Sequence, residues 1–146
     1  MANQRFFDNP DFRTYVRLLH RLHQLIRAGT DETPEGEELR EQMDEPARGL
    51  TQEEILCIKG ISADFYTLSD PPWQVQPCPP AERQEWEARL KALNSGDFVR
   101  ALDLLRRNQA YHDAATVASE RASIWSWAGE KEIAGAFFRR AKELGG

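Results

Sequence analysis

Five prolines fall between Ser69 and Pro80 (Pro71, Pro72, Pro77, Pro79 and Pro80), and this run limits what the rest of the chain can become. Proline fixes φ and removes a backbone donor, so the stretch cannot be helix and is expected to run extended in polyproline-like geometry. It divides the sequence into an amino-terminal helical subdomain (1–68), a proline-rich strap (69–80) and a second helical segment (81–146). Trp73 and Val75 inside the strap argue against a free linker, since a solvated spacer has little use for an indole. The strap is expected to lie along the helices with Trp73 as its anchor. Each half, at roughly 70 residues, is small for a self-sufficient core, and the two are expected to pack together.

On both sides of the strap the apolar residues recur at helical spacing, and nowhere is there the sustained alternation of a half-buried strand. The expected fold class is all-α, with six to seven helices. The first helix spans 10–28, capped by Asn9, with Pro10 at the tolerated first position and Gly29 past its end. Phe12, Tyr15, Val16, Leu19, Leu22, His23 and Ile26 share one face, which Leu18 and Leu25 widen to about half the circumference, enough to meet two other helices. Arg13, Arg17, Arg21 and Gln24 lie opposite. A short second helix starts at Thr33-Pro34-Glu35, with Thr33 as its cap and Leu39 and Met43 on one face, and should stop before Pro46. The third, 52–68, opens on the capping box Thr51-Gln52-Glu53-Glu54 with Leu50 stapled to Ile55, and should bury Ile55, Ile58, Ile61, Phe65 and Leu68. Four helices follow the strap, at about 81–95, 97–108, 113–128 and 130–144.

The net charge of −5 disfavours a general nucleic-acid or anionic-membrane binder, which would carry a basic excess. The charge is uneven: residues 1–30 carry +3, residues 31–56 carry −8, and the remainder is neutral. The acidic segment is either a surface for a basic partner or is neutralised by the neighbouring first helix, and neutralisation is the simpler expectation. No apolar run is long enough to cross a membrane, and Met1-Ala2-Asn3-Gln4-Arg5 lacks the apolar core of a signal peptide, so a cytoplasmic protein is expected. Two cysteines make no disulfide framework. Cys57, in Ile55-Leu56-Cys57-Ile58, reads as a core thiol and Cys78 as the more exposed one.

A period of 33 residues relates Gly96 to Gly129, Ala101 to Ala134 and Leu105 to Phe138. A fixed period of this size marks stacked helical hairpins, in which glycine makes the turn, alanine permits close approach and the large residue fills the seam. The segment Asn94-Ser95-Gly96-Asp97-Phe98-Val99-Arg100-Ala101-Leu102 resembles the turn and second helix of a tetratricopeptide repeat, as does Ala128-Gly129-Glu130 with Ala134, Phe138 and Ala141. The resemblance covers residues 81–146. Lys131 stands where the family favours an aromatic, and Trp86, Leu90 and Leu93 match Ala118, Ala122 and Trp125 only after a one-residue slip. The resemblance implies a protein-binding scaffold without a cofactor, its array capped by the amino-terminal helices. Arg83, Glu87 and Asn94 of one hairpin and Glu120, Ser123 and Trp127 of the other would then line a shallow concave face, beside the strap residue Trp73.

Three functions compete. A non-catalytic adaptor would accept a peptide or partner helix on that face. A structural subunit of a larger assembly, or a homo-oligomer, would bury the surplus aromatics permanently. Trp125 and Trp127 point to different sides of their helix, so Trp127 is expected in a groove, under the strap or at an interface. A metal-dependent enzyme would use His20 and His23, three apart on the first helix, with His112 or a carboxylate as third ligand. His23 sits on the apolar face, where a core histidine is the simpler reading. Phosphate loops, dinucleotide fingerprints and nucleophile elbows are absent, so the chain is not expected to be an enzyme.

Overall fold

The computed structural model describes residues 6–145, so the amino-terminal pentapeptide read above lies outside the described residues. These fold into seven α-helices and two 3-10 turns, and among the described residues there is no strand. None of the described helices is long and apolar enough to cross a membrane. The chain forms two compact units, Met1–Ser69 and Asp70–Gly146.

The first unit holds α1 (Pro10–Ala28), α2 (Pro34–Arg48) and α3 (Gln52–Tyr66), preceded by a 3-10 turn at Phe6–Asp8. The wide apolar face of α1 meets both α2 and α3. Phe12, Val16, Leu19 and His23 are buried there, and His20 joins them. Asn9 caps the helix through its side-chain oxygen, and Gly29, at φ 74°, ends it by letting the Thr30 N–H reach back 2.8 Å to the Leu25 carbonyl.

Four expectations fail in this unit. Helix α2 does not stop before Pro46 but runs through it to Arg48. So close to the helix end, proline removes a single ladder hydrogen bond, and its buried ring extends the row Leu39–Met43–Pro46. Thr33 precedes α2 but makes no side-chain cap; its hydroxyl donates to the Thr30 carbonyl at 2.6 Å instead. Helix α3 has its capping box, yet Ile55 is exposed and Cys57 only half-buried, because the buried row is Glu54, Ile58, Ile61 and Phe65. Leu68 is buried just beyond the helix end.

The second unit pairs α4 (Pro80–Asn94) with α5 (Phe98–Asn108) and α6 (Ala114–Trp127) with α7 (Lys131–Glu143), and α5 packs on α6. The 33-residue spacing reappears in the backbone. Gly96 and Gly129 have φ of 79° and 88°, and in each turn the next N–H closes the same bond, Asp97 to the Ala92 carbonyl at 2.9 Å and Glu130 to the Trp125 carbonyl at 3.0 Å. Ala101 and Ala134 are both buried behind these turns.

The third matched pair is displaced. Leu105 is buried but Phe138 is 43% exposed, and the large side chains buried in register are Leu104 and Phe137. The slip between first helices also disappears. Arg89 and Ala92 are the buried residues of α4, each 33 residues before the buried Ala122 and Trp125, whereas Leu90 is exposed. Ranking positions by hydrophobicity concealed this, because an arginine occupies the inner row.

Helix α4 begins at Pro80, inside the stretch read as strap, since proline is tolerated at a first helical position. Residues 71–79 run without turn or bend. The Trp73 indole N–H donates to the His112 carbonyl at 2.8 Å, the Gln76 N–H donates to the Ala110 carbonyl at 2.8 Å, and Arg140 donates to the Asp70 carbonyl. Cys78 is half-buried like Cys57, so the two thiols do not divide into core and surface.

Candidate functional site

Helical spacing puts Arg83, Glu87, Leu90 and Asn94 in one row along α4, and all four are exposed. Glu120, Ser123 and Trp127 form the corresponding row on α6, 33 residues after Glu87, Leu90 and Asn94. Glu120 and Ser123 are half-buried, while the Trp127 indole is 72% exposed. It therefore lies neither in a groove of its own unit nor under the strap, unlike Trp125, which is fully buried. Trp73 is half-buried and its N–H donates to the His112 carbonyl, which makes it a tie for the strap.

The two rows are joined by a residue the sequence reading passed over. Arg89, buried on α4, pairs with Glu120 on α6 at 3.1 Å, so Glu120 is held in place across the helix pair. The Arg89 guanidinium lies 3.7 Å from the centre of the Trp86 ring and also donates to the Trp86 carbonyl at 2.6 Å. His112 stacks on the same indole, with ring centres 3.6 Å apart. Burial and the Arg89 charge push His112 below the ordinary imidazole pKa, against the opposing pull of Asp113 and Glu120. Arg107 adds a bridge from α5 to Glu85 of α4 at 3.2 Å, and Arg121 of α6 donates to Gln109 at 2.8 Å. The presented rows thus rest on a polar layer of Arg89, Trp86, His112 and Glu120. Nothing in the spacing of Arg89 marked it as inward-facing.

His20 and His23 lie in the first unit, both buried and both packed on Phe65, with ring centres 5.3 and 5.4 Å from it. His23 also meets Tyr66 edge-on at 4.5 Å and shares a 2.9 Å hydrogen bond with Ser62. Among the described residues no group of three or more His, Cys, Asp or Glu side chains comes together to hold a metal, so a third ligand for this pair is not at hand. Burial, with a smaller contribution from Arg27, lowers the His23 pKa to about 4.

That shift has a consequence for stability. The folded state keeps His23 neutral while the unfolded chain takes up the proton near pH 6.5, so folding loses free energy as pH falls from 6.5 towards 4. The loss should reach about 2 to 3 kcal/mol by pH 4. Urea unfolding between pH 7 and 4 is expected to show a shallower pH slope in His23→Gln than in the parent chain. An unchanged slope would remove His23 as its source.

On the acidic side, Glu32, Glu35, Glu37, Glu38, Glu41, Asp44 and Glu45 are all exposed. Arg40 reaches back to Asp31 at 3.2 Å, and Asp44 lies close enough to Tyr15 to add to the burial that raises its phenol pKa. Set against models of protein families, curated proteins and solved structures, the chain matches none.

Proposed function

We propose that the Asp70–Gly146 unit is a non-catalytic protein–protein interaction module, an adaptor surface that accepts a peptide or partner helix across the α4 and α6 rows. The observation that carries this reading is Trp127. An indole left 72% in water contributes nothing to the core of its own unit, and aromatic side chains of this kind are the commonest anchors of protein interfaces. Leu90 supplies a second exposed apolar side chain, and Arg83, Glu87 and Asn94 give the polar surround expected of such an anchor. Glu120 is already oriented by Arg89, so it needs little further ordering on binding. The tetratricopeptide resemblance points to the same use of first helices and to no cofactor.

The test compares affinity purification of the intact chain with Trp127→Ala and Arg83→Ala. Both substitutions are at exposed positions and should leave stability within about 0.5 kcal/mol. At least one specific partner is expected to be lost from each variant. Retention of every partner by both would refute the assignment of this face.

The second reading, a structural subunit or homo-oligomer, is favoured by α3. Ile55 and Tyr66, three turns apart on one side, are exposed, and Leu56 beside them is 57% exposed. Light scattering of the purified chain at micromolar concentration decides the homo-oligomer form, which a stable monomer would eliminate.

A further inference from the structure

We propose that the strap is a docking site in its own right, presenting a preformed polyproline II ridge to a partner domain whose groove is lined with aromatic side chains. It does not rest on the assignment of the α4 and α6 rows. From Pro71 to Pro79 the backbone makes no helix, turn or bend, and every described peptide bond is trans. Pro79 has φ −63° and ψ 146°, the values of a polyproline II helix.

At three residues per turn, Pro71, Gln74 and Pro77 fall in one row, and all three are exposed. Pro72 and Val75 begin the next row and are exposed as well, while Cys78, which follows them, is half-buried. Trp73 belongs to the third row, and it is the side chain turned onto the unit and bonded to the His112 carbonyl. The Trp73 side chain is therefore spent on holding the strap while the Pro71–Gln74–Pro77 row faces outwards, and an exposed, extended proline-rich segment is what an aromatic-lined groove engages.

The strap is also fixed in position. The Arg140 bond to the Asp70 carbonyl, the Trp73 indole and the Gln76 N–H tie it down over seven residues, so the ordering entropy that a free peptide loses on binding has already been lost. No charged residue lies between Asp70 and Glu82. The matching groove must therefore read proline rings and Val75 by stacking and shape, without an ion pair to the strap itself.

Purified SH3, WW and EVH1 domains, each immobilised and probed with the intact chain in solution, provide the test. Saturable binding to at least one is expected, displaced by a free decaproline peptide and unaffected by Trp127→Ala. The combined variant Pro71→Ala/Pro77→Ala should bind at least about tenfold more weakly. Val75→Glu, at an exposed position that leaves every proline in place, should show a similar loss with the helical circular dichroism of the parent. The proposal fails if none of the three domains retains the chain, or if Val75→Glu and the proline variant bind as well as the parent.

Discussion

Glu54→Ala is expected to lower the stability of the Met1–Ser69 unit by about 3 kcal/mol, because its carboxylate is the point where two helix starts are joined. Glu54 is fully buried. One of its oxygens accepts the Thr51 N–H at 2.8 Å, closing the capping box of α3. Both oxygens accept from the Asn9 side-chain amide at 3.0 Å, and the same amide nitrogen donates to the Gly49 carbonyl at 3.0 Å. Asn9 is itself the cap of α1, through its other side-chain atom. The positive ends of α1 and α3 thus converge on one carboxylate, the charge that helix starts favour. Alanine would leave the Thr51 N–H and one of the two Asn9 amide hydrogens, the other still on the Gly49 carbonyl, without an acceptor in a buried site, at about 1 to 3 kcal/mol for each such donor. Glu54→Gln keeps one acceptor oxygen but turns an N–H₂ group towards another donor, and should fall between parent and alanine. Urea unfolding, with hydrogen exchange of α1 and α3 amides, measures the effect. A loss under about 1 kcal/mol for Glu54→Ala would show that the network is dispensable.

Each half of this junction was legible in the sequence and their meeting was not. Asn9-Pro10 announces one helix start and Thr51-Gln52-Glu53-Glu54 another, because capping chemistry is local and is written within four residues. That the two caps share a carboxylate depends on how α1 and α3 pack, across 45 positions of chain. The same division runs through the candidate site. The turns at Gly96 and Gly129 followed from glycine, and the rows on α4 and α6 from the tetratricopeptide resemblance. Arg89 did not, since a guanidinium turned inwards onto Trp86 and Glu120 has the same local pattern as one in water. Leu90 and Phe138 misled for the complementary reason: apolarity predicts burial only where a neighbouring helix covers the residue. Pro46 misled because a rule for helix interiors was applied within the last turn.

Trp125→Ala should be the most damaging single substitution in the Asp70–Gly146 unit, at about 3 to 5 kcal/mol, the range for emptying the site of a fully buried aromatic side chain. Trp125 is the largest of the fully buried side chains, and it takes the register position that Ala92 occupies one hairpin earlier. On α4 the buried residue one turn before Ala92 is Arg89, folded inwards over Trp86, whereas its counterpart on α6 is Ala122. The Trp125 carbonyl also accepts the Glu130 N–H in the turn at Gly129, so a collapse around a missing indole would disturb the link between α6 and α7. Relaxation of a close-packed interior does not refill so large a volume. Two residues along the same helix, Trp127→Ala should leave stability within about 0.5 kcal/mol while abolishing partner binding. Chemical denaturation of the two variants side by side separates the roles, and equal stability losses would show that the two indoles do not divide between core and surface.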